Sequence, residues 1–329
     1  MSTHLMPREA AVERPAEAEG SRLLSAYADL AKARLSMLVV TTTAVGYAVT
    51  VTGPFDVLRF VFTLIGTALA AGGANGLNQY IERDLDRRME RTRTRPIPSG
   101  LLSPRHAALA SASWAIAGPA LLAWRVNALA GALALITIVV YLAVYTPLKR
   151  RTPLCTLVGG VSGAIPPMIG CAAATGTLGF PAWLLFTLLF VWQIPHFLSL
   201  AWLYRHDYAA GGFKMLPVVD PTGARTCRVA LTYAVMLLPA GLVFTITGLA
   251  GWWAGLASLL FGGAFVVQAI RLHRRRSADY ARKLFHGSLL YLTAMMIVLV
   301  IDRGPALKTP WPENGFRVVG VESTPPDDR

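Results

Sequence analysis

Cysteine is scarce in this 329-residue chain, which contains three: Cys155, Cys171 and Cys227. None of them pairs with another at the spacing of a metal site or of a haem-attachment motif. A buried cysteine usually behaves as a small hydrophobic residue. We therefore expect all three to be packing residues rather than ligands or nucleophiles.

Acidic residues are also few, with 18 Asp and Glu against 31 Lys and Arg, and charged residues make up only 15% of the chain. Hydrophobic residues reach 54% and the mean hydropathy is +0.49, which is far from the composition of a soluble protein. This balance indicates a membrane protein. The net charge of +13 is explained by membrane topology, so we expect no nucleic-acid partner.

Nine apolar runs are long enough to cross a bilayer as helices. They cover residues 35–53, 57–80, 107–124, 128–146, 154–174, 180–203, 229–248, 252–270 and 287–301. Gly and Pro interrupt the fifth run (GGVSGAIPPMIG) and the sixth (VWQIPHF), so we expect these two helices to bend or break around a cavity. The predicted fold is an all-α polytopic membrane protein with about nine transmembrane helices around a central cavity.

Lys and Arg are distributed unevenly between the connecting segments. Twenty-five of the 31 lie in segments 1–35, 82–106, 147–153, 204–228 and 271–286. Because cytoplasmic loops retain an excess of Lys and Arg, these segments and the N-terminus are predicted to face the cytoplasm. The N-terminal tail has no apolar h-region, so we expect no cleavable signal peptide. Segments 1–20 and 304–329 are predicted to be disordered tails of one domain, 21–303.

A charged stretch, NQYIERDLDRRMERTRTRPIPSG, follows the second run directly. If the helix continues through it, Asn78, Glu82 and Asp86 lie at i, i+4 and i+8 on one face, with Asn75 one turn earlier. Amide and carboxylate oxygens arranged in this way suit Mg²⁺, which prefers one or two carboxylates together with phosphate oxygens. A second acidic segment after the sixth run carries Asp207. The two acidic segments on one face predict a shared anionic ligand bridged by a metal ion; the family resemblance described below implies Asn78, Glu82, Asp86 and Asp207 as the metal ligands.

Basic residues near these acids could bind a diphosphate, because guanidinium and ammonium groups bind phosphate oxygens. The candidates are Arg91, Arg95, Lys149, Arg150, Arg151 and Lys214. The alternative is that Glu82 and Asp86 simply pair with neighbouring arginines on a solvated helix end. Acidic and basic residues occur together again around Asp207, which favours a shared anionic ligand bridged by a metal ion.

From about Asp29 to Ile301 the sequence resembles the intramembrane UbiA-type prenyltransferase superfamily. The first motif of that superfamily, Asn-Asp-x-x-Asp-x-x-x-Asp, is matched by Asn78, Gln79, Glu82 and Asp86. The stretches YTPLKRRTP, GAIPPMIG, PHF and DYAAGGFKMLPV resemble its haem-farnesylating branch. The second motif, Asp-x-x-x-Asp, keeps only Asp207, so two symmetrical acidic clusters are absent.

The resemblance implies an enzyme that transfers the farnesyl group of farnesyl diphosphate to a vinyl group of haem b, with Mg²⁺ as cofactor and haem as substrate. It implies a multi-pass protein of the cell membrane whose active site faces the cytoplasm, with a haem A synthase or a terminal-oxidase assembly as a candidate partner. The implied catalytic residues are Asn78, Glu82, Asp86 and Asp207. The implied substrate-binding residues are Asn75, Arg91, Arg95, Lys149, Arg150, Lys214, Tyr145, His196 and His286.

A haem acceptor directs attention to histidine, because imidazole ligates haem iron. His196 lies inside the sixth run, where an ionisable residue is a functional candidate by default. The alternative is a structural role, in which His196 bonds to the backbone carbonyl that Pro195 leaves free. His286, at the start of the ninth run, is the second candidate.

Two other functions fit part of the pattern. A prenyltransferase of the same superfamily could act on a quinone precursor or another aromatic acceptor. A membrane transporter or lipid-binding scaffold would also show helices broken by Gly and Pro, but its polar residues would be expected near the bilayer midplane. The acids of this chain cluster instead at one face of the membrane.

Overall fold

The computed structural model describes residues 15–304, and the regular secondary structure in that range is helical. The helices are α1 (Pro15–Leu30), α2 (Ala33–Thr50), α3 (Val57–Asp86), α4 (Pro104–Arg125), α5 (Ala128–Val139), α6 (Thr146–Leu148), α7 (Cys155–Ala164), α8 (Pro166–Thr175), α9 (Phe180–Leu203), α10 (Arg205–Ala210), α11 (Leu216–Val219), α12 (Ala224–Ile246), α13 (Trp252–Arg275) and α14 (Ala278–Ile301). A π-helical turn, Val140–Tyr145, joins α5 to α6.

The nine predicted spans are confirmed within residues 15–304. Each of α2, α3, α4, α9, α12, α13 and α14 is long and apolar enough to cross a membrane, as are the units Ala128–Leu148 and Cys155–Thr175. Four helices, α3, α12, α13 and α14, extend well past their apolar runs, because polar end turns remain helical. Thus α3 continues to Asp86, and α14 begins at Ala278 rather than at position 287.

Local sequence sets where several spans begin. Asp56 accepts a hydrogen bond from the backbone N–H of Arg59 at 2.9 Å and so caps α3. Asn127 does the same for α5 through the N–H of Ala130 at 2.8 Å. Such caps satisfy N–H groups that have no partner within the helix.

The fifth span is broken, as predicted, between the end of α7 at Ala164 and the start of α8 at Pro166. The sixth span stays one helix, α9, although Pro195 lies inside it. Of the two predicted outcomes, a bend or a break, the break does not occur there. A single proline removes one backbone hydrogen bond, and packing against neighbouring helices tolerates that loss.

Two glycines let α2 and the broken span approach closely. A Cβ atom on Gly46 would lie 2.1 Å from the carbonyl oxygen of Pro167, and one on Gly170 would lie 2.0 Å from that of Thr43. Small residues at such crossings are typical of membrane helices. The contact brings α8 against α2 on one side of the central cavity.

The described residues include part of the predicted N-terminal tail. Helix α1 begins at Pro15 and so covers residues 15–20 of the segment predicted to be disordered. Residues 1–14 and 305–329 lie outside the described residues.

Candidate active site

Four polar side chains lie along one buried face of α3. Asn75, Asn78, Glu82 and Asp86 are each at most 6% exposed, whereas the Asp84 side chain is 63% exposed. The helix continues past the apolar run, so these four residues share a stripe. That stripe is enclosed by protein rather than solvated.

Both acids of the stripe are paired with bases. Lys149 Nζ lies 2.6 Å from Glu82 Oε1 and 2.7 Å from Glu82 Oε2, with hydrogen-bond geometry to Oε2. Arg95 Nη1 lies 2.7 Å from Asp86 Oδ2. Acid–base pairing, the alternative considered for Glu82 and Asp86, therefore does occur. The pairs are buried rather than solvated, however, and the partner of Glu82 comes from a different span.

Each acid retains one carboxylate oxygen that accepts no hydrogen bond from the described residues. These atoms are Glu82 Oε1, which has only its close approach to Lys149, and Asp86 Oδ1. A buried polar atom without a partner costs about 1–3 kcal/mol. Two carboxylates beside the amide of Asn78 form the donor set that Mg²⁺ takes together with phosphate oxygens, so these residues fit that ion.

Lys32, which the sequence reasoning did not assign to the site, contacts the same stripe. Its Nζ donates to Asn78 Oδ1 at 3.2 Å, and Asn78 Nδ2 in turn donates to Thr146 Oγ1 at 3.1 Å. Burial, together with the nearby cations Arg95 and Lys149, lowers the pKa of Lys32 to about 7. In the sequence, the feature that could have pointed to Lys32 was its position at the cytoplasm-facing end of the first predicted span.

Helix α10 contacts this region through Tyr208, which binds Arg91, and not through Asp207. Arg91 Nη2 donates to Tyr208 Oη at 3.1 Å, and the guanidinium lies 4.6 Å from the ring centre of Tyr204. Asp207 is half-buried. Across residues 15–304 no three His, Cys, Asp or Glu side chains form a group that could hold a metal ion. The four predicted ligands are thus not gathered into a ready-made cluster.

The other predicted phosphate-binding residues lie nearer the surface. Arg150, Arg151 and Lys214 are exposed. The backbone N–H of Lys214 donates to the carbonyl of Lys149 at 2.7 Å, so its loop is held beside the site. Of the Lys-Arg-Arg run, Lys149 is the member that reaches the carboxylates.

The π-helical turn places two tyrosines beside the stripe. The rings of Tyr141 and Tyr145 stack with centres 5.4 Å apart. Tyr141 Oη donates to Asn75 Oδ1 at 3.4 Å, and Lys149 Nζ lies 4.9 Å from the Tyr145 ring centre. A π turn departs from the 3.6-residue period and is common at functional sites, which is why helical periodicity did not single out Tyr141.

A cavity of about 230 Å³ extends from this polar cluster into the bundle. Asn75, Tyr141 and Tyr145 border it, and so does His196 from α9. The other walls are mainly apolar and come from α2, α3, α5, α7, α8, α9 and α14. One space therefore connects Asn75, the first residue of the polar stripe, with the histidine inside the sixth span.

The two candidate histidines differ in their surroundings. His196 is 9% exposed, and its Nδ1 lies 2.7 Å from Ser288 Oγ. Its hydrogen bond thus goes to a side chain of α14 and not to a carbonyl freed by Pro195. His286 is exposed, does not border the cavity, and packs edge-on against Phe285.

Fold and site together define a polytopic helical membrane protein with a buried stripe of amides and carboxylates whose first residue, Asn75, borders a mainly apolar cavity. The chain belongs to the UbiA prenyltransferase family, whose family model matches residues 39–295.

Curated relatives align over most of the chain. The mitochondrial protoheme IX farnesyltransferase of Arabidopsis thaliana is 42% identical over 285 residues, which cover 86% of this chain and 66% of that protein. The protoheme IX farnesyltransferase of Solibacter usitatus is 40% identical and is covered to 98% of its length, with 84% of this chain aligned. The enzyme of the same name from Opitutus terrae is 42% identical, with 85% of this chain and 95% of that protein aligned.

Solved structures share the fold at low sequence identity. A digeranylgeranylglyceryl phosphate synthase gives a TM-score of 0.72 at 17% identity and covers 85% of this chain and 98% of its own. A UbiA homologue from Archaeoglobus fulgidus, solved with GPP and Mg²⁺ bound, gives 0.62 at 16% identity and covers 83% and 99%. These likenesses support the fold alone.

Proposed function

We propose that this protein farnesylates haem b. The farnesyl group of farnesyl diphosphate is transferred to a vinyl carbon of the haem, water completes the addition to give haem O, and diphosphate leaves. Curated relatives named protoheme IX farnesyltransferase at 40–42% identity support this assignment. The observation that carries it is the cavity bordered by both Asn75 and His196, because the reaction needs a diphosphate site and a haem site facing one shielded space.

The stripe on α3 serves the diphosphate. Asn78, Glu82 and Asp86 would hold Mg²⁺, and Asp207 from α10 would complete the set. The ion supplies positive charge that neutralises the departing diphosphate. Lys149 and Arg95 neutralise the two acids in the structure described here, and they are placed to turn to phosphate oxygens once the carboxylates bind metal.

Three more exposed bases belong to the same end of the molecule. Arg91, Arg150 and Lys214 present exposed positive charge that would attract a dianionic or trianionic headgroup. Arg91 is already oriented by its contacts with Tyr204 and Tyr208. We assign these residues to capture of the diphosphate rather than to its ionisation.

The cavity walls serve the farnesyl chain. When the bond between C1 and the diphosphate oxygen breaks, the electron pair leaves with diphosphate and an allylic cation remains. Water would react with this cation at once unless it were excluded. The apolar walls exclude water, and the stacked faces of Tyr141 and Tyr145 stabilise positive charge through their π electrons.

The acceptor side of the cavity contains His196, which we assign to haem. A new bond forms between the farnesyl carbon and the outer vinyl carbon. The inner vinyl carbon then takes up the oxygen of water, and the released proton passes to solvent or diphosphate. Imidazole contact with the iron would hold the macrocycle so that its vinyl edge faces the cation.

Location and partners follow from the charge distribution and the reaction. The excess of Lys and Arg at the α3 acid end of the molecule supports an active site on the cytoplasmic face of the cell membrane. The product would be consumed by an enzyme that oxidises haem O or by a terminal oxidase that incorporates it.

The direct test is the haem species extracted from membranes with and without this protein, separated by chromatography and identified by mass. Haem O should appear only when the protein is present and farnesyl diphosphate is available. Production of a prenylated quinone precursor, with haem b unchanged, would contradict the proposal. His196→Ala should stop haem farnesylation but keep farnesyl diphosphate binding, because the diphosphate residues lie on other helices.

A further inference from the structure

Ser288 is a fully buried serine of α14 that faces His196 across the interface with α9. It makes three hydrogen bonds. Its hydroxyl donates to the carbonyl oxygen of Phe285 at 2.5 Å, its Oγ lies 2.7 Å from His196 Nδ1, and its carbonyl oxygen accepts from Trp192 Nε1 at 2.7 Å. One residue therefore binds both the imidazole and the indole one helical turn before it.

The direction of these hydrogen bonds assigns the tautomer of His196. A serine hydroxyl has one proton, and both Oγ contacts can be hydrogen bonds at once only if that proton goes to the Phe285 carbonyl, which cannot donate. Toward His196 the hydroxyl oxygen can therefore only accept, so the proton lies on Nδ1. In neutral imidazole the other nitrogen, Nε2, then carries a free lone pair.

Ring packing fixes the orientation of the same imidazole. The Trp192 ring stacks on it with centres 4.9 Å apart and planes at 21°, and the Phe285 ring stacks at 4.8 Å and 27°. His196 borders the cavity, and because Nδ1 is held by Ser288 and the ring faces are stacked, we assign the Nε2 edge to the cavity side.

The partner of Nδ1 is a hydroxyl, and across residues 15–304 no carboxylate forms a hydrogen bond or ion pair with His196. Carboxylate partners raise the basicity of a ligating imidazole and hold a resident metal tightly. A hydroxyl partner orients the ring without adding charge. That suits an iron which arrives with a substrate and must leave with the product in every turnover.

We propose that Ser288 is a positioning residue for the haem acceptor: it holds His196 as the Nδ1-protonated tautomer so that Nε2 ligates the haem iron in the cavity. This inference rests on the proposed function and adds a residue outside the carboxylate and phosphate machinery. In this proposal His196 of α9 ligates the haem iron, and Ser288 of α14 orients His196.

The test uses the full-length protein purified in detergent, loaded with ferrous haem b and compared with Ser288→Ala, Ser288→Cys and Ser288→Thr. The readouts are haem affinity from the Soret band, the iron–histidine stretching band in resonance Raman spectra, and the KM values for haem and for farnesyl diphosphate. Ser199→Ala is the matched control, because Ser199 is also buried and donates to a carbonyl three residues earlier, that of His196, at 2.8 Å.

We expect Ser288→Ala and Ser288→Cys to weaken haem binding by about ten- to a hundredfold, the usual effect of losing an outer partner of a ligating histidine. The KM for haem should rise and the iron–histidine band should shift or broaden, while the KM for farnesyl diphosphate stays unchanged. Ser288→Thr, which keeps a hydroxyl, should recover the wild-type band, and Ser199→Ala should resemble wild type.

Wild-type haem affinity and an unshifted band in both Ser288→Ala and Ser288→Cys would overturn the inference and leave haem farnesylation intact as the function. The same holds if Ser288→Thr, folded as judged by farnesyl diphosphate binding, behaves like Ser288→Ala. A wild-type protein that binds farnesyl diphosphate but neither binds nor farnesylates haem would instead overturn the proposed function itself.

Discussion

The buried pair of Glu82 and Lys149 allows a quantitative prediction. Both side chains are at most 9% exposed, so Lys149→Met leaves a carboxylate without its counter-ion inside the protein. Breaking a buried pair in this way typically costs about 3–5 kcal/mol. An ordinary glutamate side chain titrates near 4.3, so taking up a proton at pH 7 costs about 3.7 kcal/mol, and this sets an upper limit on the loss.

The prediction is therefore a loss of about 3–4 kcal/mol at pH 7. The double variant Glu82→Gln with Lys149→Met removes both charges and should recover most of the stability. It should remain inactive, because a carboxylate and a cation of the diphosphate site are both gone.

Thermal unfolding in detergent, followed with a thiol-reactive fluorescent dye, measures this effect, since Cys155, Cys171 and Cys227 are all free and buried. At roughly 2–4 °C per kcal/mol for domains of 150–250 residues, the shift should be about 6–16 °C or somewhat less for this longer chain. A midpoint for Lys149→Met within about 1 °C of wild type at pH 7, or a double variant less stable than the single one, would refute the reasoning.

Three further predictions concern the metal, the topology and the buried carboxylate of Asp220. Asp86→Ala, or a chelator added to wild type, should lower transfer by at least about a hundredfold while haem binding persists; full turnover in chelator would remove the metal from the mechanism. Cysteines placed at the exposed positions Ser99 and Ala210, after replacement of the native cysteines, should resist an impermeant thiol reagent in intact cells, and strong labelling would invert the topology. Although burial opposes it, hydrogen bonds from the backbone and side chain of Thr226 lower the pKa of Asp220, so Asp220→Ala should cost about 1–2 kcal/mol of stability. That contribution is present above the unfolded-state value near 3.9 and is lost as the pH falls through the lower folded-state value, so the variant and wild type should converge in acid.

Much of the architecture could be predicted before any coordinates, because a bilayer imposes its own length scale on apolar helices. The nine spans, the break in the fifth span at its proline pair and the stripe of Asn78, Glu82 and Asp86 all follow from local periodicity and composition. These features depend on residues close together in the chain. The family resemblance added the function class, which periodicity alone does not contain.

The side-chain contacts between spans that are distant in sequence depend on how the helices pack. Asp207 and the α3 acids are equally acidic in the sequence, yet Asp207 stays outside their cluster, while Lys149 reaches Glu82 from another span. The π turn that brings Tyr141 to the site breaks the helical period on which the prediction relied. Ser288 has no feature in the sequence that marks it, because its role depends on α14 lying against α9 at His196. Sequence patterns are set by a few neighbouring residues, whereas charge pairing and imidazole orientation depend on which helices meet, and only the folded bundle determines that.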